Sequence, residues 1–299
     1  MKKMRIPLIV ALGVAILGIV LGSFFDLQIS TAIASRNNMA GIIISVIGPT
    51  VGFLGLAAVG GGYLGVALQK KYPLWANICF YVLAAISYLA GVYFAGQEYF
   101  SSHGFDGAAP EFVGMLIAAV PLAGGFYLGY RLFRNCDHPY AWVILTIICA
   151  VALITLVGGV TILKGIMHRP RFRTVVDVEA ITFHNWWEPC KNYKELMAAN
   201  NLTSEEFKSY PSGHTAEASV LLITVTFMPL LNRKLEKVQL PCFIIAVAFA
   251  MLIGFARILA AAHFLSDVST GLALTLLFTF IANEIVLHVK KLQPVEQEA

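Results

Sequence analysis

The hydrophobic residues of this 299-residue chain are gathered into long runs separated by short polar segments. A helix needs about 20 predominantly apolar residues to cross the hydrocarbon core of a bilayer. The pattern therefore predicts an all-α, polytopic transmembrane bundle of about eight spans: 6–25, 41–68, 74–97, 111–133, 140–163, 214–231, 240–257 and 267–289. Gly48-Pro49 and Gly60-Gly61-Gly62 interrupt the second run, which is either one span or a short amphipathic helix followed by a span.

Composition agrees with a membrane protein. Hydrophobic residues make up 58% of the chain and charged residues 13%, and the mean hydropathy is +0.76. Too little polar surface exists to cover an ordinary soluble domain. The formal charge of +4 lies in short clusters, which does not suit a nucleic-acid partner. The five cysteines have neither metal-ligand nor redox spacing.

Basic residues near the span ends predict the orientation, because lysine and arginine favour the cytoplasmic side. The first run is long enough to span and ends in bulky residues, so we expect an uncleaved first helix and not a signal peptide. With eight alternating helices both termini are cytoplasmic, in a plasma (inner) membrane. The cytoplasmic clusters are then Lys2, Lys3 and Arg5; Lys70 and Lys71; Arg131 and Arg134; Arg233, Lys234 and Lys237; Lys290 and Lys291.

Three polar clusters fall on the opposite, extracytoplasmic side of this topology, where their basic residues break the positive-inside pattern. They are Lys164 with Arg171, then Pro211-Ser212-Gly213-His214, then Arg257, His263 and Asp267. Ionisable groups at the ends of membrane spans are costly to place and usually functional. A binding role for an anionic group would explain the cations.

The third cluster predicts a nucleophile. If the last span begins just before His263, Asp267 lies one helical turn further along on the same face. Its carboxylate would then accept the proton of one ring nitrogen and leave the other nitrogen to attack phosphorus. Arg257 would not share that face in one continuous helix, so we expect a break in the chain between Arg257 and His263.

The other two clusters predict an acid and an anion site. Ser212 and Gly213 would place a hydroxyl and backbone N–H groups at a helix N-terminus, which favours anions. His214 can protonate a departing oxygen. Lys164 and Arg171 can hold equatorial phosphate oxygens, although Arg169-Pro170 offers a competing register for the arginine.

The ordered motifs Lys-x6-Arg, Pro-Ser-Gly-His and Arg-x5-His-x3-Asp, over residues 164–267, resemble those of the type 2 phosphatidic acid phosphatase superfamily. The resemblance implies a six-helix catalytic core, His263 as the nucleophile that becomes a phosphohistidine, Asp267 as its partner and His214 as the acid. It also implies no metal or other cofactor. The phosphate-binding residues that it implies are Lys164, Arg171, Ser212, Gly213 and Arg257.

The chain departs from the family pattern at two positions. Phe172 follows Arg171 where the family usually has proline, and Ala256 precedes Arg257 where it usually has serine. The first motif closes the fifth predicted span, where family members typically close the third, which implies either two additional N-terminal helices or a miscount of spans around 41–68. We predict N-terminal transmembrane helices over 1–139, a catalytic core over 140–292 that includes an outer loop 172–211, and a tail over 293–299.

The sequence thus predicts a membrane lipid phosphatase whose partners are membrane lipids and a phospholipid or polyprenyl phosphate substrate. Phosphatidic acid, phosphatidylglycerol phosphate and undecaprenyl diphosphate are the candidates. Two alternatives stay open: a lipid phosphotransferase using the same histidine, and a non-catalytic lipid-binding or transport protein. Trp186-Trp187 in the outer loop is either an interfacial anchor or part of a lid over the headgroup.

Overall fold

The computed structural model describes residues 2–36, 38–101 and 108–292, in which all regular secondary structure is helical. The predicted tail 293–299 and His103 lie outside the described residues. The helices are α1 Arg5–Ile33, α2 Met39–Leu68, α3 Leu74–Ser101, α4 Ala108–Phe133, α5 (Ala141–Leu153, the π-helical segment Ile154–Thr161 and Ile162–Met167 in succession), α6 Phe172–Asp177, α7 Tyr193–Asn200, α8 Gly213–Phe227, α9 Glu236–Leu259 and α10 Leu265–His288. The predicted all-helical membrane bundle is confirmed.

Seven helices of the described chain are long and apolar enough to cross a membrane. The remaining predicted span, 214–231, is present as α8, which has 15 residues and is therefore about 22 Å long, continued by the 3₁₀ turn Met228–Leu230. Most of α8 is buried by neighbouring helices, so its apolar side chains face protein and need not match the bilayer. The second predicted run forms one continuous helix through Pro49.

Successive long helices alternate in direction and give the bundle two ends. At one end, called the site end below, the N–H of Ser35 donates to the carbonyl oxygen of Leu259 over 2.7 Å. At the opposite end, Nη2 of Arg5 lies 2.8 Å from Oε2 of Glu284 and joins α1 to α10. The chain connections α1–α2, α5–α8 and α9–α10 all lie at the site end.

Two glycines allow helices to approach closely around the core. A Cβ atom at Gly52 on α2 would lie 2.0 Å from the carbonyl oxygen of Glu217 on α8. A Cβ atom at Gly22 on α1 would lie 2.7 Å from the backbone nitrogen of Ser266 on α10. Both contacts exclude a larger side chain, because small residues are what let membrane helices pack backbone against backbone.

The segment between α5 and α8 folds over the site end. Its own apolar cluster is built on Ile181, Cys190 and Phe207. A second cluster packs Phe172 against Phe264, in the turn before α10. The indole N–H of Trp186 donates to Oγ of Ser23 on α1 over 2.9 Å. The predicted outer loop is therefore an ordered cap attached to the first and last long helices.

Candidate active site

His263 lies in the turn that joins α9 to α10. The N–H of Ala262 donates to the carbonyl of Arg257, and that of Ala261 to the carbonyl of Ile258; this is a Schellman ending of α9. Ala261 takes the left-handed conformation with φ 57°, which an L-residue adopts at some cost. The expected break between Arg257 and His263 is present, and it directs both side chains into the site end.

The ring of His263 is held by a backbone carbonyl. Its Nδ1 lies 2.7 Å from the carbonyl oxygen of Ser209, whereas Oδ2 of Asp267 is 3.7 Å away. A carbonyl oxygen only accepts hydrogen bonds, so Nδ1 carries the proton and Nε2 keeps its lone pair. The contact favours the predicted tautomer, and the closest acceptor of Nδ1 is the Ser209 carbonyl and not Asp267.

Asp267 organises the turn instead of bonding the ring directly. Its Oδ2 accepts the hydroxyl of Ser209 over 2.5 Å and the N–H of Phe264 over 2.8 Å. The premise that the last helix begins before His263 is wrong, because α10 begins at Leu265. Asp267 lies in the first turn of α10, where a carboxylate is stabilised by unpaired N–H groups, and it reaches His263 through Ser209.

Burial is the largest influence on the pKa of His263, which lies well below its ordinary value. The side chain is 1% exposed. The charges of Arg171 and Arg257 lower the pKa further, while Asp267 acts in the opposite direction. At neutral pH the ring is therefore uncharged, which is the state that a nucleophilic nitrogen needs.

The first two sequence clusters meet at the N-terminus of α8. A Cβ atom at Gly213 would lie 3.3 Å from Nζ of Lys164, so only glycine leaves this space open beside the ammonium group. Oγ of Ser212 accepts hydrogen bonds from the N–H and the hydroxyl of Thr215. The N–H of Ser212 donates to the carbonyl of Asp267, so Ser212 could offer its hydroxyl, but not its own N–H, to an anion.

Arg171 and Arg169, the two arginines that compete for the place in the first motif, have different surroundings. Arg171 is 7% exposed, and its Nε donates to the carbonyl of Glu205 over 2.7 Å. It acts electrostatically on His263 together with Arg257. Arg169 is fully buried behind Asp267, with Nη1 2.5 Å from Oδ1 of that residue. The acceptors of Arg169 are thus supplied by buried groups of the protein, and the assignment of Arg171 to an anion site stays a prediction.

His214 is the second residue of α8 and is 8% exposed. The carbonyl–amide bond between Asp267 and Ser212 holds the start of α8 against the start of α10. The structure brings all eight predicted site residues to the site end: Lys164, Arg171, Ser212, Gly213, His214, Arg257, His263 and Asp267.

Sequence reasoning missed three participants. Ser209 contributes the carbonyl that fixes the His263 ring. Asp26 on α1 and Arg169 form a buried ion pair, with Nη2 of Arg169 2.9 Å from Oδ2 of Asp26. A signal existed for the pair, since Asp26 is an isolated acid at the end of the first apolar run and Arg169 belongs to the competing register of the first motif.

Among the residues that the structure describes, no group of three or more histidine, cysteine, aspartate or glutamate side chains is arranged to hold a metal ion. The positive charge of the site comes from Lys164, Arg171 and Arg257. These side chains can neutralise a phosphate group, and arginine's planar fork suits two phosphate oxygens at once.

The fold and the site together define a multi-pass helical membrane protein with buried histidines and cations at one end of the bundle. The sequence model of the PAP2 superfamily matches residues 139–290, and the chain belongs to this superfamily. The resemblance to the type 2 phosphatidic acid phosphatases is therefore confirmed, and membership supports a lipid phosphatase at the level of the family.

A solved structure, the first transmembrane PAP2 type phosphatidylglycerolphosphate phosphatase from Bacillus subtilis, aligns with a TM-score of 0.37 at 19% identity. The alignment covers 82% of this chain and 98% of that one. A search of curated proteins found no match.

Proposed function

We propose that the protein is an integral membrane lipid phosphatase that hydrolyses a phosphomonoester or diphosphate headgroup through a phosphohistidine at His263. The observation that carries the proposal is the His263 ring, whose Nδ1 proton is fixed by the Ser209 carbonyl and whose Nε2 is left as a nucleophile. The cations Lys164, Arg171 and Arg257 supply the charge that a phosphate needs. The substrate is a lipid such as phosphatidic acid, phosphatidylglycerol phosphate or undecaprenyl diphosphate.

In the first step Nε2 of His263 attacks phosphorus, and the bond between phosphorus and the leaving oxygen breaks. Protonated His214 donates its proton to that oxygen, so the lipid departs as an alcohol or as a lipid phosphate. The ring of His263 becomes positively charged. Asp267, 3.7 Å from Nδ1, stabilises this charge, while the three cations hold the equatorial oxygens.

In the second step water attacks the phosphohistidine and gives up a proton to neutral His214. The bond between phosphorus and Nε2 breaks, and its electron pair returns to the ring. Inorganic phosphate leaves, and both histidines regain their starting states. No metal ion takes part in either step of this scheme.

We place the site at the extracytoplasmic face of a plasma (inner) membrane, because the positive-inside rule puts the Lys- and Arg-rich opposite end in the cytoplasm. Cysteine labelling tests this orientation. Trp187, 47% exposed at the site end, and Asp137, whose side chain is 94% exposed at the opposite end, are changed to cysteine. An impermeant maleimide should label Trp187→Cys in intact cells and Asp137→Cys only after permeabilisation. The reverse pattern would place the site in the cytoplasm.

An apolar groove of about 350 Å³ between α1, α9 and α10 reaches the start of α8. Its inner end is Thr215, which follows His214 and donates to Ser212. Its outer walls include exposed Leu17 and Met251. Because the groove is continuous with the first turn of α8, we assign it to the hydrocarbon tail of the substrate.

Filling the groove should weaken lipid binding without changing the chemistry. In Leu17→Trp the bulky ring displaces about two methylenes of the tail, each worth roughly 0.8 kcal/mol. We expect KM for a long-chain substrate to rise about tenfold, with kcat and turnover of a short-chain substrate unchanged. The matched control is Val120→Trp on α4, 76% exposed and outside the groove. An equal effect on both chain lengths would refute the assignment.

The proposed function is tested by phosphate release from phosphatidic acid, phosphatidylglycerol phosphate and undecaprenyl diphosphate by purified protein in excess EDTA. We expect EDTA-resistant release from at least one substrate. Incorporation of phosphate into an added alcohol at the expense of release would favour the phosphotransferase alternative. Folded protein that turns over none of the three would favour the non-catalytic alternative.

A further inference from the structure

Arg169 is the centre of a buried polar network behind the proposed nucleophile. Its side chain is fully buried, and each of its nitrogens has an acceptor. Nη1 lies 2.5 Å from Oδ1 of Asp267 and 2.8 Å from Oγ of Ser266, and Nη2 lies 2.9 Å from Oδ2 of Asp26. Nε donates to the carbonyl of His184 over 2.8 Å. The guanidinium group is therefore fixed in position and orientation.

Asp26 brings a charge from α1 into this network. It is 2% exposed and lies outside the residues 139–290 that match the superfamily. Its Oδ1 accepts the N–H of Ser266 over 2.9 Å, and its Oδ2 accepts the hydroxyl of Ser266. Asp26 therefore stabilises the first turn of α10, the same turn that carries Asp267.

We propose that Asp26 and Arg169 are positioning residues for His263, and that their opposite charges set the electrostatic balance behind its ring. The proposal rests on the proposed function. The connection runs from Asp26 through Arg169 to Asp267, then to the hydroxyl of Ser209. The carbonyl of Ser209 holds Nδ1 of His263.

The net charge of the network gives a reason for building it from charged side chains. Asp26, Arg169 and Asp267 sum to one negative charge, which faces a ring that becomes positive during the reaction. The other charged or titratable groups around the network, the ring and the anion site include Arg257, Arg171, Lys164, Glu205, Glu217, His214 and Tyr210. A buried ionic cluster is costly, and apolar residues of similar volume would join α1 to α10 at least as well. A role in charge balance accounts for that cost.

Charge balance predicts opposite effects for two nearly isosteric variants. Asp26→Asn leaves the network neutral, so the pKa of His263 should fall. Arg169→Gln removes the positive charge between the two carboxylates, so the pKa of His263 should rise. Each shift should be about one pH unit, because a charge several ångströms away acts through a partly screened interior. The double variant returns to one negative charge, and the pKa should return towards the wild-type value.

The measurement is NMR titration of histidine-labelled protein, with His263→Ala identifying the signal of His263 among the seven histidines. The matched control is Arg5→Gln, which removes an ion pair between α1 and α10 at the opposite end and should leave the pKa of His263 unchanged. A purely structural network would not shift the pKa in opposite directions. An unchanged pKa in either folded single variant, or equal shifts in both, would overturn the proposal.

The titration does not depend on turnover, so the proposed function and the charge-balance proposal can be refuted independently of each other. If the wild type does not release phosphate, the proposed function fails, and the titration still decides the charge balance. If the wild type is active, Asp26→Asn should lose about tenfold in kcat with KM unchanged, because it weakens the nucleophile and leaves the phosphate contacts in place.

Discussion

His263→Ala should abolish phosphate release from every lipid substrate while leaving the fold intact. The variant removes the attacking nitrogen, and among the described residues no other histidine bonds the Ser209 carbonyl. Loss of a nucleophile that forms the covalent intermediate costs about 10⁴-fold or more. The measurement is phosphate release under conditions in which the wild type turns over many times, beside thermal unfolding of both proteins.

The matched control is His288→Ala. His288 is exposed at the opposite end, where its Nδ1 lies 2.7 Å from the carbonyl of Glu284. This variant should keep wild-type activity. His263→Ala should still bind a non-hydrolysable phosphonate lipid, because Lys164, Arg171 and Arg257 are unchanged. Substantial turnover by folded His263→Ala would eliminate His263 as the nucleophile.

His214→Ala should produce a loss that depends on the leaving group. A lipid alkoxide leaves poorly without a proton, so turnover of phosphatidic acid should fall by about 10²–10⁴-fold, the usual contribution of a general acid. Nitrophenolate leaves without protonation, so the first turnover of p-nitrophenyl phosphate should stay fast. Water attack is still slowed, because the variant lacks the base for that step. Stopped-flow absorbance should therefore show a burst of about one nitrophenolate per active site.

A different pattern of losses would assign His214 another role. Equal losses on both substrates without a burst would mean that His214 binds substrate or supports the fold, and does not donate the proton. His184→Ala provides the comparison, because His184 accepts from Arg169 through its backbone carbonyl, which alanine retains. It should lose little activity on either substrate.

The helical bundle could be predicted from the sequence because lipid imposes a strong local rule: each spanning helix must be apolar for about 20 residues. That rule located α1 to α5, α9 and α10. It overstated the length of α8, because an apolar run indicates burial but does not distinguish lipid from protein as the surroundings. Gly213–Phe227 is apolar because other helices enclose it.

The candidate site was predictable where its residues lie close together in sequence. Lys164 to Arg171, Ser212 to His214 and Arg257 to Asp267 each form a short motif. The Asp26–Arg169 pair joins residues 143 positions apart, and no periodicity along one chain reveals such a pairing. The role of Ser209 depends on its backbone carbonyl, which carries no signature of side-chain type. The sequence analysis predicted a direct hydrogen bond from His263 to Asp267. The distance is too long because Asp267 caps α10 by accepting the N–H of Phe264.

The central claim is the phosphohistidine, and rapid-quench labelling tests it most directly. Wild type and His214→Ala are mixed with ³²P-labelled phosphatidic acid or p-nitrophenyl phosphate in EDTA, quenched in alkali, digested and mapped. The account predicts phosphate that is stable to alkali, labile to acid and attached to His263, approaching one per molecule in His214→Ala treated with p-nitrophenyl phosphate. Turnover by the wild type with no phosphorylated protein in either form at any time would contradict it.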